Sequence, residues 1–208
     1  MLKRGTLLAV ASATTLGTAF SSTAAHAVTY SDITPNSLFY TEITWALNKG
    51  LIHGYSDGTF RPADSIDRQS LARVIYIYRG KPAYTPPTKS PFTDVPVGHP
   101  LYKEINWLVS QGITTGYPDK TFRPANTMNR GAFAAFLYRM AGEPTYIPPT
   151  TPYFPDVPST ELFYKEISWL KDTKITTGWT DGTYQPLEPI QRDATCAFLY
   201  RYNQAVGY

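Results

Sequence analysis

Apolar residues recur at helical spacing in two short stretches in the first half of the chain, with a cluster of turn residues between them. The first stretch predicts a helix whose apolar stripe faces a core. The cluster at residues 54–60, Gly-Tyr-Ser-Asp-Gly-Thr-Phe, predicts a turn before a second helix that opens near Asp67. The stripe of the first helix is Phe39, Tyr40, Ile43, Ala46 and Leu47, and that of the second is Leu71, Val74, Ile75 and Tyr78.

The same pattern returns twice at a spacing of 62 residues, without insertion or deletion. A strict period is typical of repeat proteins, in which one unit cannot close its own core and stacks on its neighbours. We therefore divide the chain into three repeats, residues 28–81, 90–143 and 152–205, joined by Pro-Pro linkers that should be extended and semi-rigid. Three recurring sets stand out: the Arg series (Arg68, Arg130 and Arg192), the Trp series (Trp45, Trp107 and Trp169) and the Gly series (Gly54, Gly116 and Gly178).

The second helix of each repeat begins after a different residue. Asp67 and Asn129 are good N-caps, whereas Gln191 is a weak one. The apolar stripe of the second helix recurs as Phe133, Phe136 and Leu137, and then as Phe198 and Leu199.

Residues 1–27 have the order of a secretory signal peptide. A positively charged start precedes an uncharged stretch of mostly small or apolar residues, and Ala25 and Ala27 lie at the positions that a signal peptidase reads. We expect cleavage after Ala27 and export of the remainder. The apolar stretch is too short and too rich in Ala, Thr and Ser for a comfortable membrane span, so a protein embedded in the membrane is not expected.

Charge and length narrow the choice of function. The chain has 19 Lys and Arg against 16 Asp and Glu, and loss of the signal peptide leaves 17 against 16, a net charge of +1. A nearly neutral chain is a poor candidate for nucleic-acid binding. The remaining residues, about 180, suffice for one domain with a sizeable core. The 16 Tyr, 4 Trp and 10 Phe suit both carbohydrate stacking and core packing.

Cys196 is the single cysteine, so the chain cannot form an intramolecular disulfide. The first two repeats have Ala72 and Ala134 at this position. We therefore interpret Cys196 as a small buried helix residue and not as a reactive thiol.

The three repeats resemble the S-layer homology domain. The third copy reads DVP…FYKEISWL…ITTGWTDGTYQPLEPIQRDATCAFLYR, and the resemblance spans residues 30–204 in three tandem units. The combination Gly-Tyr-x-Asp-Gly-Thr-Phe-x-Pro, followed by an arginine at the start of the second helix, is specific. The family's usual Thr-Arg-Ala-Glu at that helix start is altered, because the arginine is present three times and the glutamate never.

The resemblance implies a mainly α fold in which three tandem helix-turn-helix repeats form a pseudo-threefold, three-pronged bundle. It also implies grooves between the prongs that bind secondary cell-wall polymers, often with a pyruvylated amino sugar. The predicted function is non-covalent anchoring of a secreted protein to the bacterial cell wall through an anionic polysaccharide, with a location at the cell wall or cell surface.

The Arg series lies in the first turn of each second helix, where a positive charge opposes the helix dipole. A carboxylate or phosphate of a glycan would meet both the guanidinium and the free backbone N–H groups of the helix end. Alternatively, each arginine pairs with an internal carboxylate such as Asp32, Asp57 or Glu42 and braces the repeat. Asp193, next to Arg192, would repel an anion, so the third copy is the least suited to bind.

Trp45 lies off the apolar stripe of its helix, beside Glu42 one turn earlier. The Trp series therefore either stacks on a sugar ring or packs against the neighbouring repeat. The Gly series is expected in a turn that requires a positive φ, and the resemblance adds that this glycine lets the ligand approach the backbone. No metal site is expected, because the acidic spacing of an EF-hand loop is missing.

Catalysis is not predicted. His53 and His99 have no counterparts in the other repeats, and neither metal-ligand spacing nor a triad motif is found. The acidic residues recur by repeat symmetry, which suits structure or multivalent binding better than a single active site. We therefore predict a module that is not an enzyme and needs no cofactor. Two alternatives remain, the anchor of a cell-wall hydrolase and a surface-layer or adhesion protein whose repeats bind each other, a surface protein or a host surface.

Overall fold

The structure is a computed structural model that describes residues 30–207. It confirms the predicted fold class, mainly α with three tandem two-helix repeats about a pseudo-threefold axis. In the described part of the chain, β pairing is limited to isolated bridges such as the one between Ser65 and Gln191. The helices are α1 (Tyr40–Asn48), α2 (Arg68–Tyr78), α3 (Tyr102–Ser110), α4 (Arg130–Met140), α5 (Tyr164–Asp172) and α6 (Arg192–Val206).

The apolar stripes predicted from the sequence supply much of the core, although Phe39, Tyr40, Leu47 and Tyr78 are only partly buried. Ile43 of α1, Leu71 of α2 and Phe133 of α4 are fully buried. Full burial of such a side chain contributes roughly 1.5–3 kcal/mol relative to leaving it exposed. The repeated stripes therefore supply the main driving force for folding.

The start of each second helix agrees with the predicted capping strengths. The side chain of Asp67 accepts a hydrogen bond from the N–H of Ser70 at 2.8 Å, and that of Asn129 accepts from the N–H of Ala132 at 2.7 Å. Gln191 makes no such side-chain bond. The third repeat thus begins its second helix without the cap that the other two have.

Each prong of the fold is a pair of helices from two different repeats. α2 packs on α3, α4 packs on α5, and α6 packs on α1. The second helix of every repeat therefore pairs with the first helix of the next, and the third repeat closes onto the first. The extensive helix–helix contacts among residues 30–207 all join neighbouring repeats.

A ring of three backbone hydrogen bonds closes the centre of the molecule. The N–H of Ile66 donates to Ile190 O (3.1 Å), that of Ile190 donates to Met128 O (2.8 Å), and that of Met128 donates to Ile66 O (2.9 Å). These three side chains are at most 2% exposed. The ring places the starts of the three second helices side by side.

The predicted signal peptide, residues 1–27, and its cleavage site lie outside the described residues. Within residues 30–207, no helix combines the length and the apolar character needed to cross a membrane.

Candidate ligand grooves between the repeats

The Arg series links each repeat to the next. Each arginine is the first residue of its second helix and at most 8% exposed. Its Nε donates to a backbone carbonyl of the following repeat, at the aromatic residue that ends the turn cluster. The bonds join Arg68 to Phe122 O (2.7 Å), Arg130 to Tyr184 O (2.8 Å) and Arg192 to Phe60 O (3.0 Å).

The arginines therefore brace the repeats, but through carbonyls and not through the carboxylates that the sequence suggested. Asp32 accepts from the backbone N–H groups of residues 60 and 61. Asp57 pairs with Arg61 at 2.7 Å, and Glu42 lies 3.9 Å from Arg201. The interpretation of these three carboxylates as partners of the Arg series is wrong, because each already has another partner.

The backbone N–H groups at the helix starts are also occupied. The N–H of Arg68 donates to Asn126 O (2.9 Å), and that of Gln69 donates to Pro124 O (3.0 Å). The side chain of Asp67 takes the next N–H. Corresponding bonds are present at the starts of α4 and α6. The expectation that free helix N–H groups would meet an anion is therefore wrong, and recognition of an anion falls to the guanidiniums.

Aromatic rings surround the guanidiniums of Arg68 and Arg130. Burial lowers the pKa of both groups, and neither has an acidic side chain within 4 Å in residues 30–207. Because arginine keeps its proton in proteins, each side chain is a buried positive charge without a described counterion. The ring centroids lie 4.9 Å (Tyr117) and 4.7 Å (Phe122) from Arg68, and 5.2 Å (Trp179) and 4.8 Å (Tyr184) from Arg130.

Each member of the Arg series lies where two neighbouring repeats meet, and we name these boundaries by the repeats that they join. Arg68 lies at groove 1–2, Arg130 at groove 2–3 and Arg192 at groove 3–1. Groove 2–3 holds a cavity of about 260 Å³, and groove 3–1 holds one of about 190 Å³. The largely apolar wall of groove 2–3 includes Leu38, Gly178, Trp179, Phe198 and Arg201.

Arg192 has less free hydrogen-bonding capacity than Arg130. Its Nη2 donates to His53 O at 2.7 Å in addition to the Nε bond. Arg130 lines the cavity of groove 2–3, and its terminal nitrogens donate to no acceptor in the described part of the chain. The occupied Nη2 favours the expectation that the third arginine is the least suited to bind. The predicted repulsion by Asp193 adds less to it, because this carboxyl is buried and burial raises its pKa towards the neutral form.

Gly54 and Gly178 line the cavities of grooves 3–1 and 2–3, and Gly116 holds the corresponding position in the second repeat. Gly116 and Gly178 have φ values of 73° and 79°, as predicted, but the expectation of a positive φ is wrong for Gly54. The N–H of Gly116 donates to a Thr114 hydroxyl, whereas the corresponding residue in the first repeat, Ile52, has none. The N–H of Gly54 donates instead to the Tyr30 hydroxyl at 2.8 Å.

The shared reason for glycine in this series is close packing. A Cβ at any of the three positions would collide with a ring of the same repeat and with a backbone carbonyl, so no larger residue fits. The rings are those of Tyr30, Phe92 and Phe154.

The Trp series lies in the prongs. Trp107 and Trp169 are 4% and 7% exposed. Each forms a T-shaped contact with a tyrosine from the second helix of the preceding repeat, with ring centroids 5.3 Å apart. Trp45 meets Tyr200 of the third repeat in the same way, at 5.5 Å. This geometry favours packing between repeats over stacking on a sugar.

Comparison with known protein families gives three matches to the S-layer homology domain. They cover residues 29–72, 91–134 and 153–195, which is more than half of the chain. The chain belongs to the S-layer homology domain family. The resemblance inferred from the repeated motifs is confirmed.

Relatives of this S-layer homology protein include much longer proteins. The chain is 34% identical to cell surface glycoprotein 1 of Acetivibrio thermocellus, over 74% of the chain and 7% of that protein. It is 33% identical to the cellulosome-anchoring protein of the same species, over 68% of the chain and 32% of that protein. An endoglucanase of Bacillus sp. is 30% identical over 53% of the chain and 11% of the enzyme. The chain thus spans less than a third of each.

The turn clusters of the first two S-layer homology repeats contain ion pairs that the sequence analysis missed. Asp57 pairs with Arg61 at 2.7 Å, and Asp119 pairs with Arg123 at 2.9 Å. Hydrogen bonds from the threonine two residues on, and then from the arginine, lower the pKa of both carboxyls to about 2. The third repeat has Gln185 in place of the arginine. Alignment of the repeats shows this break in symmetry, although not its structural effect.

No cluster of three or more His, Cys, Asp or Glu that could hold a metal ion occurs between residues 30 and 207. The unmatched histidines have local roles, since His99 Nδ1 accepts from the N–H of Leu101 at 3.1 Å and His53 O accepts from Arg192.

Proposed function

We propose that this S-layer homology chain anchors a secreted protein non-covalently to the bacterial cell wall by binding an anionic secondary cell-wall polysaccharide in its inter-repeat grooves. The family and the names of the surface and anchoring relatives support a role at the cell surface. The signal-peptide pattern of residues 1–27 supports export.

The observation that carries the proposal is the burial of Arg68 and Arg130 without a carboxylate partner. Each holds a buried positive charge between two repeats, and no carboxylate of the described chain lies within ion-pair distance. A carboxylate or phosphate on a glycan would supply that counterion through charge-assisted hydrogen bonds. A pyruvylated amino sugar is one such ligand, because its ketal carries a carboxylate.

Grooves 1–2 and 2–3 are the sites that we propose, with Gly116 and Gly178 at their borders. Groove 3–1, with Gly54, is a weaker candidate because Nη2 of Arg192 already donates to His53 O. The buried members of the Trp series hold the prongs together, and we assign them the role of supporting the groove walls.

Sedimentation with cell walls tests the proposal. The mature protein should sediment with walls of its own species, and it should remain in solution after hydrofluoric acid has stripped the secondary polymer. Each charged hydrogen bond contributes roughly 1.5–3 kcal/mol, and the grooves act together. The Arg68→Gln/Arg130→Gln double variant should therefore lose wall binding by orders of magnitude.

Arg192→Gln is the matched control, because it removes the same kind of brace from the groove whose guanidinium is already occupied. It should destabilise the fold like each single change but should leave most of the wall binding. Thermal unfolding checks that all variants are folded at the assay temperature. Undiminished binding by a folded double variant would return the Arg series to a purely structural role, and equal binding to stripped walls would make another wall component the target.

We infer that the chain is not itself an enzyme, since the described residues that line the cavity of groove 2–3 include no His, Cys, Asp or Glu that could act as a general acid, base or nucleophile. The endoglucanase relative matches over 11% of that enzyme's length, which is compatible with a shared anchoring segment. The wall incubations described above should release no reducing sugars, and enzymatic release that one Asp or Glu substitution abolishes would contradict this.

A further inference from the structure

In the first repeat Arg61 covers the ring of Tyr55, the tyrosine near the start of the turn cluster. The guanidinium carbon of Arg61 lies 3.9 Å from the centroid of the Tyr55 ring, and the pair with Asp57 holds it there. A planar guanidinium at this distance is in van der Waals contact with the ring, so no ligand can stack on that face. The second repeat has the same arrangement of Arg123 on Tyr117, also at 3.9 Å, with Asp119 as the partner.

The third repeat lacks this cover. Gln185 occupies the arginine position, and its amide donates to the Thr183 hydroxyl at 3.1 Å. Asp181 keeps its bonds to Thr183 at 2.9 and 2.7 Å, but no arginine pairs with it in the part of the chain that the structure describes. Trp179 replaces the tyrosine. Arg130 of the Arg series lies 5.2 Å from its ring, much as Arg192 lies 5.0 Å from Tyr55 and Arg68 lies 4.9 Å from Tyr117, so the missing contact is that of the turn arginine alone.

Exposure alone does not separate the repeats, because Tyr55 and Trp179 are 41% and 42% exposed. What differs is the arginine stacked on the ring, which the first two repeats have and the third lacks. The stacked Arg61 covers a face of Tyr55, whereas Trp179 offers a larger ring without the corresponding guanidinium.

The surroundings of Trp179 fit a ligand that is both apolar and anionic. Trp179 and Arg130 line the same cavity of about 260 Å³. Phe39 and Phe198 extend its apolar wall, and Arg201, which lies 3.9 Å from Glu42, adds a second guanidinium. A pyranose ring has an apolar face that stacks on an indole, and an acidic substituent on that ring would reach a guanidinium.

We propose that the uncovered face of Trp179 is a stacking platform for a pyranose ring of the anionic polysaccharide, and that Gln185 is the residue that keeps this platform open. The inference rests on the proposed function and makes the grooves unequal. Groove 2–3 recognises the sugar ring together with its charge. Groove 1–2 recognises the charge alone, because Arg123 covers a face of Tyr117 there.

Gln185→Arg tests the inference, because it gives the third repeat the Asp–Arg pair of the other two. The fold should tolerate the change, since Arg61 and Arg123 occupy the corresponding positions with φ values of 58° and Gln185 already has 59°. The introduced arginine should pair with Asp181 and cover Trp179. Binding to native walls, measured by sedimentation over a range of wall concentrations, should weaken at least about tenfold.

Whether Gln185→Arg strengthens or weakens wall binding distinguishes an effect of charge from an effect of stacking. Charge alone predicts that an added arginine strengthens binding to an anionic polymer, whereas a covered ring predicts weaker binding. Gln185→Lys is the matched control, because it adds the same charge without a planar group that stacks in this way. It should bind at least as well as the wild type.

Trp179→Tyr gives a second test that preserves the fold, since tyrosine occupies this position in the other repeats. It should weaken wall binding by a factor of about three to ten. In the wild type, soluble fragments made by muramidase digestion of the walls should protect the exposed indole from acrylamide quenching. The Gln185→Arg variant should show less protection.

The possible failures are distinguishable. A wild-type protein that native walls do not retain would overturn the proposed function and this inference with it. Retention of wild type together with equal or stronger binding by folded Gln185→Arg would overturn the platform alone. Equal losses in the arginine and lysine variants would show that Gln185 itself, and not the uncovered ring, is what the ligand requires, and this too would contradict the inference.

Discussion

The residue that directly follows each turn cluster has a left-handed backbone conformation. Arg61 has a φ of 58°, although a side chain makes this conformation about 1–2 kcal/mol less favourable. The carboxylate of Asp32 offsets this cost, since its two oxygens accept from the N–H groups of Phe60 and Arg61 at 2.7 and 2.6 Å. The other repeats have the same support from Asp94 and Asp156. Alignment reveals these aspartates, but the strain that they support is visible only in the structure.

At the same scale, Cys196 should be chemically inert in the folded protein. The side chain is 1% exposed, and burial raises the pKa of the thiol to about 12. The thiolate that reacts with iodoacetamide is therefore disfavoured at pH 8, both by the pKa and by the lack of access. Mass spectrometry should show slow alkylation of native protein and complete alkylation within minutes in 6 M guanidinium chloride. Equal rates in both conditions would show that α6 opens readily.

The sequence identified the Arg series but not its partners. Recurrence at the helix start indicated that each arginine needs an offsetting group, but alignment of the repeats cannot identify that group. The carbonyl acceptors, such as Phe122 O for Arg68, belong to the next repeat and carry no side-chain signal. The burial of the guanidinium and the bonds of the helix N–H groups are therefore visible only in the structure.

At the level of elements, the three second helices are alike except for their caps. α2 and α4 begin with side-chain acceptors, while α6 begins at Gln191 without one. Gln191 has φ and ψ of −78° and 159°, close to the −82° and 158° of Asn129. The backbone is therefore already arranged for a cap that the glutamine does not provide.

Gln191→Asn should stabilise the protein. The N–H of Ala194, three residues on, already donates to the side chain of the adjacent Asp193. Asparagine at position 191 would offer this N–H an acceptor in cap geometry, and a good N-cap contributes about 1 kcal/mol. Because one bond replaces another, the free energy of unfolding, measured with urea, should rise by at most that amount. Asn129→Ala is the reverse change and should lower it by a similar amount. No gain from Gln191→Asn, together with a clear loss from Asn129→Ala, would mean that the start of α6 is already satisfied.

Helical periodicity predicted the helices and their buried faces correctly, as the burial of Leu71, Phe133 and Leu199 shows. It could not predict which helices would pair. An apolar stripe shows that a face is covered, but the same stripe on α2 would fit α1 or α3 equally well. The observed pairing with the next repeat depends on how the linkers direct the chain, which periodicity does not encode.

For the whole molecule, this pairing predicts that one repeat cannot fold alone. A fragment of residues 28–90 holds α1 and α2 but neither α6 nor α3, on which they pack. It also loses Arg192, which bonds to Phe60 O and His53 O. Circular dichroism should show little helix and no cooperative melting. A sharp transition near that of the whole protein would contradict the dependence on neighbouring repeats.

The ring of hydrogen bonds at the centre also has a consequence for the order of events during synthesis. The ring joins Ile66 of the first repeat to Ile190 of the third, and the nearby bond from Arg192 to His53 spans 139 positions of the chain. Closing so long a loop is slow and must wait until the third repeat has left the ribosome. Until then the first repeat lacks the partner of α1. A chain bound for export would therefore lack its closed fold for nearly the whole time that it is being made, which favours passage through a narrow translocation channel.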